Sequence, residues 1–177
     1  MRSPIPHLRI GTPDDAAVVS ALSIQVFLDT YATDGVRPDL AREAFREYSE
    51  QAFLARLCVP DRRFVLAEKE GALLGFAELD CASREAPVPG LHGLELVRLY
   101  VQPQAQRTGV GSALLAESER TARSLMAPSL WLTAWEGNAR ALAFYARSGY
   151  ADVGATTYEF EGREYGNRVV AKQLLPV

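Results

Sequence analysis

Two glycines, Gly109 and Gly111, directly precede a segment that predicts a helix. The stretch reads Q-R-T-G-V-G-S over residues 106–112, and A-L-L-A-E-S-E-R-T-A-R follows it. Glycine costs backbone entropy at a helix start and adds no packing, so a bare backbone must serve a purpose there. A helix N-terminus attracts phosphate through its N–H groups and the positive end of its dipole. The pattern predicts phosphate binding, with Arg107 adding a positive charge; a glycine-rich connection that binds nothing is the alternative.

Three better-known glycine motifs are excluded by individual residues. A P-loop requires a lysine after its second glycine, and no lysine follows Gly111. A dinucleotide fingerprint requires a third glycine, but position 114 is Leu. The nucleophile elbow G-x-S-x-G is absent. What remains is the pattern Q-x-x-G-x-G between a predicted strand and a predicted helix.

A second group of candidate residues lies downstream, in N-A-R-A-L-A-F-Y-A-R-S-G-Y over residues 138–150. Asn138 is a typical helix N-cap, and Gly149 is a typical helix stop. Between them lies Tyr145, which on an apolar helix is by itself typical of a core tyrosine.

Glu95 is a carboxylate near the start of a predicted strand, where a merely solvated side chain is one interpretation. It belongs to the alternating segment L-E-L-V-R-L-Y-V over residues 94–101, which predicts a strand. Successive side chains of a strand point to opposite faces. Glu95 is therefore expected to share a face with Val97, Leu99 and Val101.

The remaining elements predict a mixed α/β fold in the order β-α-α-β-β-β-α-β-α-β-β. A helix is expected over residues 16–31 and a second helical region over about 38–57, with Leu40, Ala44, Phe45 and Tyr48 on its buried face. Turns are expected at Glu70-Gly71 and at Gly162. The predicted strands cover residues 7–11, 64–69, 72–80, 94–101, 129–135, 151–160 and 165–174.

Composition narrows the class of protein. The chain has 177 residues, a length that suits a single domain over residues 1–177. Its net charge of -3 disfavours a nucleic-acid partner, which needs a basic surface. Cys58 and Cys81 have no metal-type spacing, and no apolar run is long enough to span a bilayer. We therefore expect a cytoplasmic protein without a metal or a membrane partner.

The two segments together resemble the GNAT acetyltransferase superfamily. Gln106–Gly111 is similar to the loop that holds the acyl-CoA pyrophosphate, and residues 138–150 are similar to N-x-x-A-x-x-F-Y-x-x-x-G-F, with Tyr150 in place of the common Phe. Both stand in the family's order, and the resemblance covers nearly the whole chain. It implies a mixed, mostly antiparallel sheet with flanking helices, in which the strands 94–101 and 129–135 splay apart.

The resemblance also implies a reaction, in which an amine directly attacks the thioester of acetyl-CoA. Leu99, Tyr100 and Val101 would pair with the pantetheine arm, and an N–H near Leu99 would polarise the carbonyl. Asn138 and Tyr145 would line the thioester end, with Tyr145 as acid and Glu95 as base. The pyrophosphate would lie on the loop residues Gln106, Arg107, Thr108, Gly109, Val110, Gly111 and Ser112.

For the acceptor, the chain resembles the bacterial spermidine/spermine acetyltransferase branch. Phe27, Asp29 and Tyr31, in L-S-I-Q-V-F-L-D-T-Y, would roof the acceptor cleft, where aromatic and acidic groups suit a polyamine. Val97 stands where that branch tends to carry a second acid, and a less charged cleft favours a smaller amine or a peptide N-terminus. A small-molecule primary amine is expected, a protein α-amine or lysine is the alternative, and a non-catalytic acyl-CoA-binding regulatory module is a third. Family members are often dimers, so a homodimer is a further expectation.

Overall fold

The computed structural model describes residues 6–82, 85–160 and 163–174, which hold seven strands and five α-helices. This mixed α/β fold is the class that the sequence predicts. The chain forms two compact units, each from two segments. The first contains the chain up to Leu79 together with Arg98–Ser118, and the second contains Asp80–Val97 together with the chain from Glu119 onward. Among the described residues, no helix has both the length and the apolar character needed to cross a membrane.

The first unit has strands in the hydrogen-bonded order β1-β2-β3-β4, and β4 is divided between the units. Glu70 and Gly71 turn the chain between β2 and β3 with φ angles of 53° and 80°, as a two-residue hairpin requires. The strands are β1 His7–Ile10, β2 Arg62–Lys69, β3 Ala72–Asp80 and β4 Leu94–Val101. The helices are α1 Ala16–Tyr31, α2 Pro38–Glu47, α3 Glu50–Leu57 and the first part of α4 Val110–Ser124.

The predicted helical region 38–57 is divided into α2 and α3. Ser49 divides it, because its Oγ accepts a hydrogen bond from the Ala52 N–H (3.2 Å) and so caps a new helix. The prediction that Phe45 lies on the buried face is wrong: Phe45 is 72% exposed, whereas Leu40 and Ala44 are buried. Leu40 and Ala44 are four residues apart and share a face, and the next residue lies about 100° further round the helix.

The core of the first unit contains aromatic rings and a buried carboxylate that is paired with two arginines. The rings of Phe53 and Phe76 lie 6.0 Å apart. Glu78 has 0% exposure, and its carboxylate accepts from Arg62 (3.1 Å) and Arg98 (2.5 Å). Removing one partner from a buried charge is strongly destabilising, so this group ties β2, β3 and β4 together.

The second unit has the strand order β4-β5-β7-β6. β5 is parallel to β4 and antiparallel to β7, and β6 and β7 form an antiparallel pair. The predicted turn at Gly162 lies outside the described residues. The remaining elements of this unit are β5 Ser129–Trp135, α5 Ala139–Arg147, β6 Ala151–Phe160, β7 Arg163–Gln173 and the second part of α4.

Asp15 should stabilise the first unit in a pH-dependent way. Its carboxylate accepts two hydrogen bonds from Arg9 (2.8 and 2.6 Å), which lower its pKa from 3.8 to about 2. A pKa lower in the folded state gives stability that is present above the unfolded-state value and is lost as the pH falls towards 2. We expect Asp15→Asn to lower the free energy of unfolding by about 2 kcal/mol at pH 7, and by much less near pH 2.

Urea unfolding at both pH values measures this difference, with Asp14→Asn at the exposed neighbouring carboxylate as the control. An equal loss of stability for Asp15→Asn at pH 7 and near pH 2 would contradict the assignment.

Candidate active site

One side chain holds the segment between β4 and α4 to the end of β4, and a second forms a hydrogen bond within the segment. Gln106 Nε2 donates to the Val101 carbonyl (3.2 Å), and Thr108 Oγ1 donates to the Ala105 carbonyl (2.6 Å). The glutamine of the Q-x-x-G-x-G pattern therefore has a local structural role, since it fixes where the loop leaves the strand.

The backbone of this loop is left-handed at two positions. Arg107 has a φ of 62° and Gly109 a φ of 96°. Gly109 is exposed, and a Cβ placed on it meets no other described atom within 4 Å. Glycine is thus required at 109 by conformation rather than by crowding. The left-handed backbone turns the chain into α4 and leaves open space over the main chain.

α4 begins with backbone donors that the helix itself does not use. Its first helical hydrogen bond runs from the Ala113 N–H to the Gly109 carbonyl (2.9 Å). The N–H groups of Val110, Gly111 and Ser112 precede that bond and have no acceptor within the helix. With the exposed Arg107 nearby in the chain, the loop offers main-chain donors, the positive end of a helix dipole and a cationic side chain.

The second motif consists of the two caps of α5. At its start, Asn138 Oδ1 accepts from the Ala141 N–H (3.1 Å). At its end, Gly149 has a φ of 87°, the Tyr150 N–H donates to the Tyr145 carbonyl (3.0 Å), and the Gly149 N–H donates to the Ala146 carbonyl (3.1 Å). These two bonds form a Schellman motif, so Asn138 and Gly149 fix the two ends of the helix that carries Tyr145.

Tyr145 is buried against aromatic neighbours. Its ring centroid lies 5.2 Å from that of Phe144 and 5.7 Å from that of Tyr150. The Tyr145–Tyr150 contact is the side-chain contact that accompanies a Schellman motif. Burial, together with the charge of Glu119, raises the pKa of Tyr150, which keeps that neighbouring ring neutral. The cap therefore sets the position of Tyr145 through both the main chain and the side chain.

Glu95 lies beside Trp131. The two residues are partners in the parallel β4–β5 ladder, so their side chains lie on the same face of the sheet. Glu95 is half-buried, whereas Trp131 is only 4% exposed and its Nε1 has no hydrogen-bond partner among the described residues. Trp131 is far from Glu95 in the sequence, and only the strand register brings the two residues together. That Glu95 shares a face with Leu99 remains a prediction, because the two lie in different units.

Of the three residues predicted to contact the acceptor, two lie together and the third does not. The rings of Phe27 and Tyr31 are 5.1 Å apart, and Phe27 also packs on Tyr48 at 4.9 Å. Asp29 is exposed and lies about 200° around α1 from Phe27, since each residue advances about 100°. The structure joins the two aromatic residues and leaves the acid on another side of the helix.

The predicted pantetheine-binding residues are half-buried positions at the end of β4. The Tyr100 ring lies 5.6 Å from that of Phe76, and its hydroxyl is 3.4 Å from the Tyr48 hydroxyl. The carbonyl of Val101 accepts from Gln106. Leu99 lies between Arg98 and Tyr100 in the strand. The Arg98 guanidinium lies over the Tyr48 ring, 5.7 Å from its centroid. The strand end is thus fixed by side-chain contacts of Arg98 and Tyr100.

The mostly antiparallel sheet, the glycine loop entering α4 and the doubly capped α5 define the acetyltransferase class. A family model confirms this: the chain belongs to the acetyltransferase (GNAT) family, whose model matches residues 27–150. That range contains both the loop and α5. The protein is therefore an N-acetyltransferase, an enzyme of the acyltransferase class.

Several relatives and solved structures are similar to this chain. An uncharacterised N-acetyltransferase of Lactobacillus delbrueckii subsp. lactis is 29% identical over 129 residues, which are 73% of this chain and 75% of that protein. The IAA acetyltransferase of Azospirillum brasilense is 33% identical over 101 residues, 57% and 62% of the two chains. A GCN5-related N-acetyltransferase from Rhodopseudomonas palustris has a TM-score of 0.75 and 26% identity, covering 98% of this chain and 99% of that one.

A further structure supports the fold alone. The PaiA N-acetyltransferase of Thermoplasma acidophilum, solved in complex with coenzyme A, has a TM-score of 0.71 and 20% identity. The match covers 94% of this chain and 99% of that one.

The Schellman motif should depend on glycine at 149. An L-residue with a side chain costs about 1–2 kcal/mol in the left-handed conformation, and the space around Gly149 is not tight, since a Cβ there lies 3.6 Å from Lys172 Cε. We expect Gly149→Ala to lower the free energy of unfolding by about 1–2 kcal/mol and Gly149→Asn to lower it less, because Asn tolerates this conformation. Urea unfolding measures both variants, and equal losses would contradict a conformational cause.

Proposed function

We propose that this protein transfers the acetyl group of acetyl-CoA to the primary amine of a small molecule by direct attack. Membership of the family supports acetyl transfer. The observation that carries the cosubstrate site is the start of α4, where the left-handed Gly109 opens the main chain in front of three N–H groups that the helix does not use.

In this proposal the pyrophosphate lies on residues 106–112, and the backbone of Leu99, Tyr100 and Val101 holds the pantetheine arm. Helix N-termini and exposed main-chain N–H groups suit a diphosphate because they supply fixed positive dipoles without a counter-charge of their own. Arg107 adds a formal charge at an exposed position.

In the proposed reaction two side chains each transfer one proton: one donates it and the other accepts it. The neutral amine attacks the thioester carbon, whose oxygen is polarised by an N–H near Leu99. The new C–N bond forms as the C–S bond breaks, and the leaving sulfur takes a proton from Tyr145. Glu95 takes the proton that the amine nitrogen loses, directly or through water. Tyr145 suits its role because a phenol is neutral at pH 7, and in this proposal Asn138, which caps α5, lines the thioester end.

For the acceptor we propose a small primary amine, with a polyamine as the first compound to test. The half-buried Tyr31 supplies an aromatic ring for it, beside the buried Phe27, and an aromatic ring suits an ammonium group by cation–π attraction. The exposed Asp29 lies on another side of α1, so the acidic contribution expected from it does not support a polyamine over a smaller amine.

The acceptor is identified by release of CoA thiol from acetyl-CoA with a panel of amines. The panel contains spermidine, spermine, small diamines, an aminoglycoside and short peptides. Release with the small amines and not with peptides is the expected result. Release only with peptides would transfer the assignment to protein acetylation, and binding of acetyl-CoA without any release would favour a regulatory module.

Tyr145→Phe should remove the proton donor while keeping the ring and the Schellman motif. We expect turnover to fall at least about 100-fold, with the Kd of CoA, measured by calorimetry, nearly unchanged. Tyr158→Phe, at a half-exposed tyrosine of β6, is the matched control and should keep full turnover. Full turnover of Tyr145→Phe would remove Tyr145 as the acid.

Gly109→Glu should weaken CoA binding by adding negative charge beside the pyrophosphate. Gly109→Gln is the matched control, because both variants carry the same backbone strain at a φ of 96° and nearly the same volume. The Glu variant is expected to bind CoA at least about tenfold more weakly than the Gln variant. Equal Kd values for the two variants would mean that the loop is not the phosphate site.

A further inference from the structure

The ammonium of Lys172 joins three elements of the second unit. Lys172 lies on β7, and its Nζ donates to Glu119 Oε1 (2.8 Å) and Oε2 (3.0 Å) on α4 and to the carbonyl of Ser148 (3.0 Å) at the end of α5. Glu119 is buried. An ammonium has three protons, and these contacts account for all of its donor capacity.

The contact with Ser148 lies at the Schellman cap of α5. Ser148 is the residue that ends the helix, and its carbonyl is one of the last four that lack a partner within the helix. A cation is favourable there because the helix dipole ends negatively. Lys172 also covers the turn itself, since its Cε lies 3.6 Å from the position of a Cβ on Gly149.

One aromatic ring, that of Tyr150, lies between the Lys172 ammonium and Tyr145. Lys172 Nζ lies 5.7 Å from the centroid of Tyr150, and the Tyr150 ring lies 5.7 Å from that of Tyr145. The Tyr150 N–H donates to the Tyr145 carbonyl in the cap that Lys172 holds. Lys172 therefore contributes to the position of Tyr145 in two ways, through the main chain of the cap and through the Tyr150 ring.

We propose that Lys172 is the positioning residue for Tyr145: its ammonium, anchored on Glu119, fixes the C-terminal cap of α5 and thereby the place of the Tyr145 hydroxyl. This inference rests on the proposed role of Tyr145 as the acid. The bond from Lys172 Nζ to the Ser148 carbonyl is the contact through which the ammonium acts on the cap, and the buried Glu119 holds the ammonium in place for it.

The test compares Lys172→Met with Arg123→Met. Methionine keeps a long unbranched side chain and removes the ammonium. Arg123 also contacts Glu119 (3.3 Å) but belongs to α4 and is the exposed partner, so its variant controls for the loss of a cation from Glu119. Turnover is measured as thiol release from acetyl-CoA with the mixed amines of the panel above, each variant in wild-type and Tyr145→Phe backgrounds.

Lys172→Met is expected to lower kcat at least about tenfold in the wild-type background, since small misplacements of a catalytic group are costly, with the KM of acetyl-CoA unchanged. In the Tyr145→Phe background it should lower kcat no further, because a residue that acts through Tyr145 has nothing left to position. Arg123→Met should leave kcat unchanged in both backgrounds. An equal loss for Lys172→Met in both backgrounds would mean a general structural role and overturn the proposal.

Hydrogen exchange of the Tyr150 amide gives a readout that needs no acceptor. Lys172→Met should speed this exchange, because the amide belongs to the cap, and Arg123→Met should not. Unchanged exchange in Lys172→Met overturns the anchoring of the cap. Full turnover of Tyr145→Phe instead overturns the proposed acid, so the two failures are told apart.

Discussion

The hydrogen bond from the Tyr150 N–H to the Tyr145 carbonyl is the constraint on which the second motif depends. It closes α5 only because Gly149 adopts a φ of 87°, and it brings the rings of Tyr145 and Tyr150 into contact. A helix of nine residues is marginal by itself. Its two caps, Asn138 and the Schellman turn, therefore decide where the candidate acid stands.

The first motif also contains a left-handed glycine, but there the glycine serves a different purpose. There the left-handed Gly109 opens the start of α4, whereas the left-handed Gly149 closes the end of α5. At the helix start, backbone donors are left available for an anion. At the helix end, the backbone groups are satisfied within the protein. One helix terminus is thus suited to binding a cosubstrate, and the other to holding a side chain still.

The sequence predicts what local chemistry decides, and it does not reveal contacts between distant residues. The bounds of α1, β4 and β5 are the predicted ones, since caps and alternation are short-range signals. Ser49 divides a helix that apolar spacing alone makes continuous, and α1 places Asp29 away from Phe27 because two residues do not complete a turn. Lys172 is 53 residues from Glu119 and 24 from Ser148, so no local pattern links them. Trp131 meets Glu95 only through strand register.

In the proposed reaction the acetyl group passes directly from acetyl-CoA to an amine. The most direct test of this transfer mixes the protein with a stoichiometric amount of acetyl-CoA, with and without the mixed amines, and follows thiol release together with the intact mass of the protein. For a direct transfer we expect that thiol release requires the amine, that the acetyl group appears on the amine, and that the protein mass is unchanged throughout. A stoichiometric burst of thiol without amine, with the acetyl group on the protein, would contradict it.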